Sequence, residues 1–180
     1  GGTIRIVNSE TVTLDNTELI TRTEGKGRAG SILIEGTDYL LLRNGSLLLA
    51  DAEADEDGGT IRIGASRVIS SPNGNNDIIT NANNGTGGDI FSPNATLYGF
   101  ELQSGSTTAQ LRNSRSNDIS TRSEFGRDGS VTINDITETP NQTESEELDD
   151  SFSTPEQLIS NSCISPSSSV AGSFTIPGTG

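Results

Sequence analysis

A six-residue unit recurs five times along this 180-residue chain, and it limits the possible folds more than any other feature. The unit is a small residue, Gly, Ser/Thr/Asp, apolar, any residue, apolar. It reads Gly1-Gly2-Thr3-Ile4-Arg5-Ile6, then Ala29-Gly30-Ser31-Ile32-Leu33-Ile34, then Gly58-Gly59-Thr60-Ile61-Arg62-Ile63. It returns, more loosely, as Gly87-Gly88-Asp89-Ile90-Phe91-Ser92 and as Asp128-Gly129-Ser130-Val131-Thr132-Ile133. The glycines at the second position, 2, 30, 59, 88 and 129, are 28, 29, 29 and 41 residues apart. A second element precedes the later units: Glu18-Leu19-Ile20-Thr21-Arg22-Thr23, Asp77-Ile78-Ile79-Thr80-Asn81-Ala82 and Asp118-Ile119-Ser120-Thr121-Arg122-Ser123, with Ser46-Leu47-Leu48-Leu49 in the same place in the second repeat. Internal periods of about 20–50 residues belong to solenoids and propellers.

Within each unit the apolar residues alternate with period two, which selects strand over helix. Ile4 and Ile6 face one way and Arg5 the other, and Ile61, Arg62 and Ile63 repeat this. Asn73-Gly74-Asn75-Asn76 and Asn83-Asn84-Gly85 are expected to supply the positive-φ corners where strands turn. No segment keeps a 3.6-residue period with caps, so helices inside the repeat are not expected. These observations predict an all-β parallel β-solenoid over residues 1–133, of about five coils, with Ile, Leu and Val stacking on their counterparts one coil away. A flat antiparallel sheet or sandwich is the alternative, but sandwiches rarely keep a sequence period. In the fourth unit Phe91 takes the outward parity and Ser92 the inward one. The last spacing, 41, implies either an inserted loop near Gly105–Arg115 or two shorter coils.

Only 29% of residues are apolar and 4% aromatic, too few for an ordinary globular core. A coil needs fewer, because backbone ladders and stacked Asn share the work. The net charge of −14 argues against nucleic acid as a partner, since counterion release needs a basic footprint. Residues 134–180 carry eight acids and no base, leaving −6 for residues 1–133. Four of the six prolines also lie in this acidic, Pro/Ser-rich stretch. It reads as a linker and C-terminal tail, partly disordered, with about Asn134–Ser153 flexible and a helical turn at Pro155–Ile159. No apolar run approaches the ~20 residues that cross a bilayer, so no membrane-spanning segment is expected. The chain contains no Met, and is expected to be a processed or excised piece.

No catalytic, cofactor-binding or metal-ligating residue is assigned, and no cofactor. Without His there is no Ser/His/Asp or Cys/His arrangement, and one Cys, Cys163, makes neither an internal disulfide nor an all-cysteine zinc site. Asp51-Ala52-Glu53-Ala54-Asp55-Glu56-Asp57 gathers five carboxylates that could hold Ca²⁺. Glu56 stands where an EF-hand needs Gly, however, and Arg62 where it needs Glu, so a solvated acidic loop is expected. Arg5, Arg62 and Thr132 share one outward position, as a lyase groove requires, or simply as residues that keep a sheet face soluble. Thr21, Thr80 and Thr121 form a column like the threonine ladders of ice-binding solenoids, interrupted by Leu49.

The Gly-Gly-Thr-Ile-Arg-Ile units, the stretch from Ser116 to Asn134 and the closing Ser173-Phe174-Thr175-Ile176-Pro177-Gly178-Thr179-Gly180 resemble the C-terminal part of filamentous-haemagglutinin-like exoproteins of the two-partner secretion type, especially the cyanobacterial group. Pro155-Glu156-Gln157-Leu158 and Cys163 match that family's Pro-Glu-x-Leu motif and Cys across a shortened spacer. The resemblance implies a right-handed single-stranded parallel β-helix, pectin-lyase-like in class. It also implies export through an outer-membrane partner transporter and a secreted or cell-surface location. The function implied is a non-enzymatic, adhesin-like stalk that meets surface glycans or host and cell-surface molecules. A glycan-binding or polysaccharide-degrading β-helix is the alternative, with paired carboxylates cutting the glycosidic bond.

Overall fold

The computed structural model describes residues 1–137, and every strand pairing among them is parallel. The expected helical turn at Pro155–Ile159 and Cys163 lie outside the described residues, as does most of the expected linker. The strands, in chain order, are β1 (Thr3–Val7), β2 (Thr11–Asp15), β3 (Glu18–Ile20), β4 (Ser31–Arg43), β5 (Leu47–Leu49), β6 (Thr60–Ser70), β7 (Asp77–Ile79), β8 (Asp89–Tyr98), β9 (Glu101–Leu102), β10 (Asp118–Ser120) and β11 (Ser130–Thr137). One short helix, α1 (Thr108–Arg112), lies between β9 and β10.

The chain winds into a β-solenoid. One sheet stacks β1-β4-β6-β8-β11, with β2 also on β4, and a second stacks β3-β5-β7-β10-β9. Single bridges Thr23↔Ala52↔Ala82↔Ser123 form a third column. The five glycine units therefore bound three regular turns and one expanded turn, fewer than the five or so coils expected, because each unit marks the boundary of a turn and not a turn of its own. At about 4.8 Å per rung the first sheet is roughly 20 Å tall.

Register explains the repeat. Ile4, Ile32, Ile61, Ile90 and Val131 stack in one inward column, and Ile6, Ile34, Ile63, Ser92 and Ile133 in the next. Leu19, Leu48, Ile78 and Ile119 close the core from the second sheet. Each fully buried Ile or Leu contributes roughly 1.5–3 kcal/mol. Ser92 has the predicted inward parity, and its hydroxyl donates to the Ile63 carbonyl at 3.0 Å.

The glycine column is set by space. The N–H groups of Gly30, Gly59, Gly88 and Gly129 donate across the coil to the carbonyls of Thr21, Ala50, Thr80 and Thr121. At Gly59 and Gly88 a Cβ would collide with the carbonyl oxygen of the preceding turn's glycine. The corners obey a different rule. Asn8 (φ 56°), Asn16 (46°), Asn44 (58°), Asn73 (52°) and Asn75 (48°) take the left-handed conformation that Asn tolerates. Gly36 (φ 66°) absorbs the bulge between Glu35 and Thr37. The expected positive φ at Asn83-Asn84-Gly85 is not found. There the Asn side chains reach the preceding turn instead, Asn83 to the Glu53 carbonyl and Asn84 to Asp55.

A buried polar ladder runs beside the second sheet. The Thr17 amide donates to Ser46 Oγ, the Ser46 amide to Asn76 Oδ1, and the Asn76 amide to Asn117 Oδ1. It satisfies corner amides that no strand partner reaches. β11 continues past residue 133 through Thr137, because after a bulge Asp135, Ile136 and Thr137 pair with Thr96, Leu97 and Tyr98.

Candidate interaction surface

The fourth turn departs from the regular repeat. Between Tyr98 and Asp118 the chain leaves the coil, lays β9 along the outer edge of β10, and returns through α1. This excursion is the inserted loop that the spacing of 41 allowed, but it contains a helix where none was expected. Local and tertiary causes combine. Thr107 and Gln110 form a capping box, with the Gln110 amide donating to Thr107 Oγ1 and the Thr107 amide to Gln110 Oε1. Leu111 then buries itself against Leu47, Leu49 and Ile79. These three lie on the outward face of the second sheet. Their signal was present in the sequence: Leu47-Leu48-Leu49 and Ile78-Ile79 are apolar on both parities, the mark of a strand covered on both faces.

Beside α1 lies an open cleft of about 430 Å³. Its floor carries Ala52 and Ala82, and Thr107–Ala109 and Arg112 form one wall. Along the cleft Arg22, Asp51, Asn81 and Arg122 occupy the same outward position on four successive rungs. Arg22 forks onto Asp51 with bonds of 2.8 and 3.1 Å and reaches Glu53 at 2.8 Å. Its guanidinium is held more firmly protonated than usual, chiefly by the hydrogen bond to Asp51, against the partial burial that opposes it. Asn81 donates to Thr108 Oγ1 and accepts from Ser120 Oγ and the Arg122 amide, tying helix to ladder. Arg122 makes no ion pair among the described residues. The cleft thus offers one uncommitted guanidinium, amides and hydroxyls above a floor of small side chains.

The acidic run is divided among separate partners. Asp51 is buried on Arg22, Glu53 shares that arginine, Asp55 accepts from Asn84, and Asp57 accepts from the Thr86 amide and faces Arg28 at 3.6 Å. Only Asp51 is buried; Glu53 and Asp55 are exposed and Glu56 and Asp57 half-buried, so apart from its first carboxylate the run stays in contact with solvent, as expected. Among the described residues no three Asp, Glu, His or Cys side chains converge as a metal site would require.

Arg5, Leu33, Arg62, Phe91 and Thr132 do form one outward column. Glu35 holds Arg5 at 3.0 Å and Arg62 at 3.9 Å, and Arg62 lies over the Phe91 ring at 4.6 Å. The predicted groove arginines are committed to their neighbours. The threonine column is corrected in two ways. Its missing member is Ala50, since Leu49 lies one residue earlier, in register with Ile20 and Ile79. The column also faces the interior, where Thr21, Thr80 and Thr121 are buried against the glycines, so it cannot meet ice.

No protein-family model, curated protein or solved structure matches this chain.

Sequence reasoning missed one pair altogether. Asp77 and Asp118 sit on adjacent rungs of the second sheet, 2% and 0% exposed. Asp118 Oδ1 accepts from Gln103, its Oδ2 accepts from Ser114, and its own amide donates to Asp77 Oδ1. Burial raises the Asp77 pKa from 3.8 to about 7, with the neighbouring Asp118 charge adding to it. The Asp at the start of each Asp-Ile unit was visible, but not the insertion that covers it.

Proposed function

We propose that this chain is a non-enzymatic segment of a large secreted or cell-surface exoprotein, a rigid β-helical stalk carrying an interaction surface. The carrying observation is the unbroken parallel ladder from β1 to β11, in which each turn braces the next through hydrogen bonds and stacked inward columns. Such a rod resists bending because any bend must break several ladder bonds at once. The motif resemblance supplies the finer reading: a right-handed, single-stranded helix of the pectin-lyase-like class, haemagglutinin-like, and exported unfolded by a partner outer-membrane transporter. Coil-by-coil pairing would then fold it outside the cell without ATP. The cleft beside α1 is the surface this reading assigns to contact with a glycan or cell-surface molecule. A transporter gene of the two-partner type is expected next to the gene for this chain, and its deletion is expected to abolish surface display. Display that survives the deletion refutes the export route.

The alternative, a polysaccharide-degrading enzyme, draws on the carboxylates lining the cleft, Asp51, Glu53 and Glu124. Two of these are neutralised by Arg22, and the acid with a raised pKa, Asp77, does not line that cleft. Depolymerisation assays on a polysaccharide panel, with D51A and E124A as controls, are expected to show no cleavage. Measurable cleavage lost in either variant would overturn the stalk reading.

A further inference from the structure

We propose that the segment Gln103–Ser116 is a pH-gated strap, pinned over the second sheet while Asp77 is protonated and released when Asp77 ionises. The contacts that pin it are few and named. Leu111 inserts among Leu47, Leu49 and Ile79. Arg112 pairs with Glu18 at 2.6 Å, Asn75 donates to the Arg112 carbonyl, and Asn81 donates to Thr108. Gln103 and Ser114 donate to the two oxygens of Asp118. Beneath lie two carboxylates on adjacent rungs. Asp118 accepts hydrogen bonds at both oxygens. Asp77 accepts only the Asp118 amide, at Oδ1, and no hydrogen bond reaches its Oδ2 among the described residues. Asp77 also lines a small pocket with Glu18, Asn75 and Arg112, so its uncommitted oxygen is free to carry a proton.

The charged groups around Asp77 make closure costly once that proton leaves. Asp118 lies on the β10 side, with Glu101 of β9 in register beyond it. On the other side, past Leu47 of β5, is Glu18 of β3. Among the described residues Arg112 of α1 alone opposes this acidic column, and it is already paired with Glu18. Lifting the strap widens the small opening beside Asp77 to water and lets that carboxylate ionise.

The sign follows from linkage. Asp77 binds its proton more tightly under the closed strap, with a pKa of about 7, than in water, at 3.8. The closed form is therefore favoured below the ordinary value and loses its advantage as pH rises toward about 7. Between about pH 5 and pH 8 the open-to-closed ratio rises by up to roughly a hundredfold, if opening fully rehydrates Asp77. Because α1 is one wall of the cleft, the same motion would dismantle that surface at alkaline pH. This last step rests on the proposed function, whereas the strap's motion is read without any ligand.

The test is amide hydrogen exchange on the full chain at the two pH values, with labelling times scaled for intrinsic exchange. Peptides covering residues 103–116 are compared with peptides from β6, which serve as the internal reference. Protection of the strap is expected to fall tens of fold more than that of β6 as pH rises. Asp77→Asn keeps an acceptor for the Asp118 amide but cannot ionise, so it should hold the strap closed at both values. Leu111→Ala should loosen it at both, showing that the measurement sees release. Strap protection that does not change with pH, or that changes equally in Asp77→Asn, overturns the proposal. If Asp77→Asn fails to fold, the wild-type comparison between strap and β6 still decides.

Discussion

The glycine column allows a test in which chemistry is constant and only position in the stack differs. Gly2 and Gly88 occupy the same place in the repeat, and neither has a positive φ, so backbone conformation permits alanine at both. Their surroundings differ. Around Gly2 a Cβ would meet nothing within 4 Å. At Gly88 it would collide with the Gly59 carbonyl oxygen and come within 2.8 Å of both the Gly59 nitrogen and Thr80 Cβ. Most of these atoms are ladder backbone, so no side-chain rotation relieves the clash. Overpacking of this kind costs about 1–3 kcal/mol. The shift needed to relieve it also stretches two backbone bonds, Gly88 N–H to Thr80 O across the coil at 2.6 Å and Asp89 N–H to Gly59 O along the ladder at 3.0 Å. At about 1 kcal/mol for each bond, G88A should lose about 3–5 kcal/mol in all. A domain holds only about 5–15 kcal/mol in total, so much of its margin would go. G2A should be neutral or slightly stabilising, because alanine has about 0.5–1 kcal/mol less backbone entropy to lose. Urea unfolding followed by far-UV circular dichroism reads both. With a slope of about 1–3 kcal/mol per molar, G88A should lower the midpoint by at least 1 M, roughly, and G2A by almost nothing. Equal midpoints for the two variants would refute the close-approach account of the repeat.

Substitutions at three further positions probe the polar groups. Thr80 is fully buried and its hydroxyl has no hydrogen-bond partner, so T80V, nearly the same shape, should stabilise by about 1 kcal/mol in the same assay. N76A removes the acceptor for the buried Ser46 amide and the donor to Ser70, and should cost about 2–4 kcal/mol, with β5 and β7 the first to lose exchange protection. R22A strands Asp51 without its partner, and because Arg22 is partly exposed the loss should be nearer about 1–3 kcal/mol than that of a fully buried pair. Thermal melts of R22A against R22K separate charge from the fork: lysine should recover only part of the loss.

The sequence was most legible where one residue answers one constraint. Ile4, Ile32, Ile61 and Ile90 could be aligned by eye because an inward column tolerates little besides Ile, Leu or Val. Gly30, Gly59 and Gly88 could be aligned because the coil leaves no room for a Cβ. The parity of Phe91 and Ser92 followed from the same alternation. Legibility failed where tertiary contact overrode local pattern. α1 is five residues long, too short to show a period, and forms because its capping box and Leu111 meet the apolar outer face of β5 and β7. The threonine column is hard to read from sequence because aligning the second turn one residue early puts Leu49 in the place of Ala50, and in a strand a single step exchanges inside for outside. Asp77 and Asp118 show in the sequence only as the start of a strand unit, because their burial depends on residues 99–117 folding back over them.

A periodic surface has a difficulty as a recognition surface: it offers the same contact on every rung, so a ligand can slide by one rung at little cost. Specific binding must come from places where the repeat is broken. In the first three turns the outward charges are largely spent within the ladder, Arg5 and Arg62 on Glu35, Arg43 on Asp15, and Arg22 on Asp51 and Glu53. The fourth turn departs from this pattern. There Arg122 has no ion pair among the described residues, Phe125 is 72% exposed, and the inserted α1 adds a wall on one side. The regular turns can therefore supply stiffness without supplying register. The expanded turn supplies what periodicity cannot, a unique position along the rod. If this division is correct, R122A should leave the urea midpoint of the chain unchanged while removing whatever surface binding the intact chain shows.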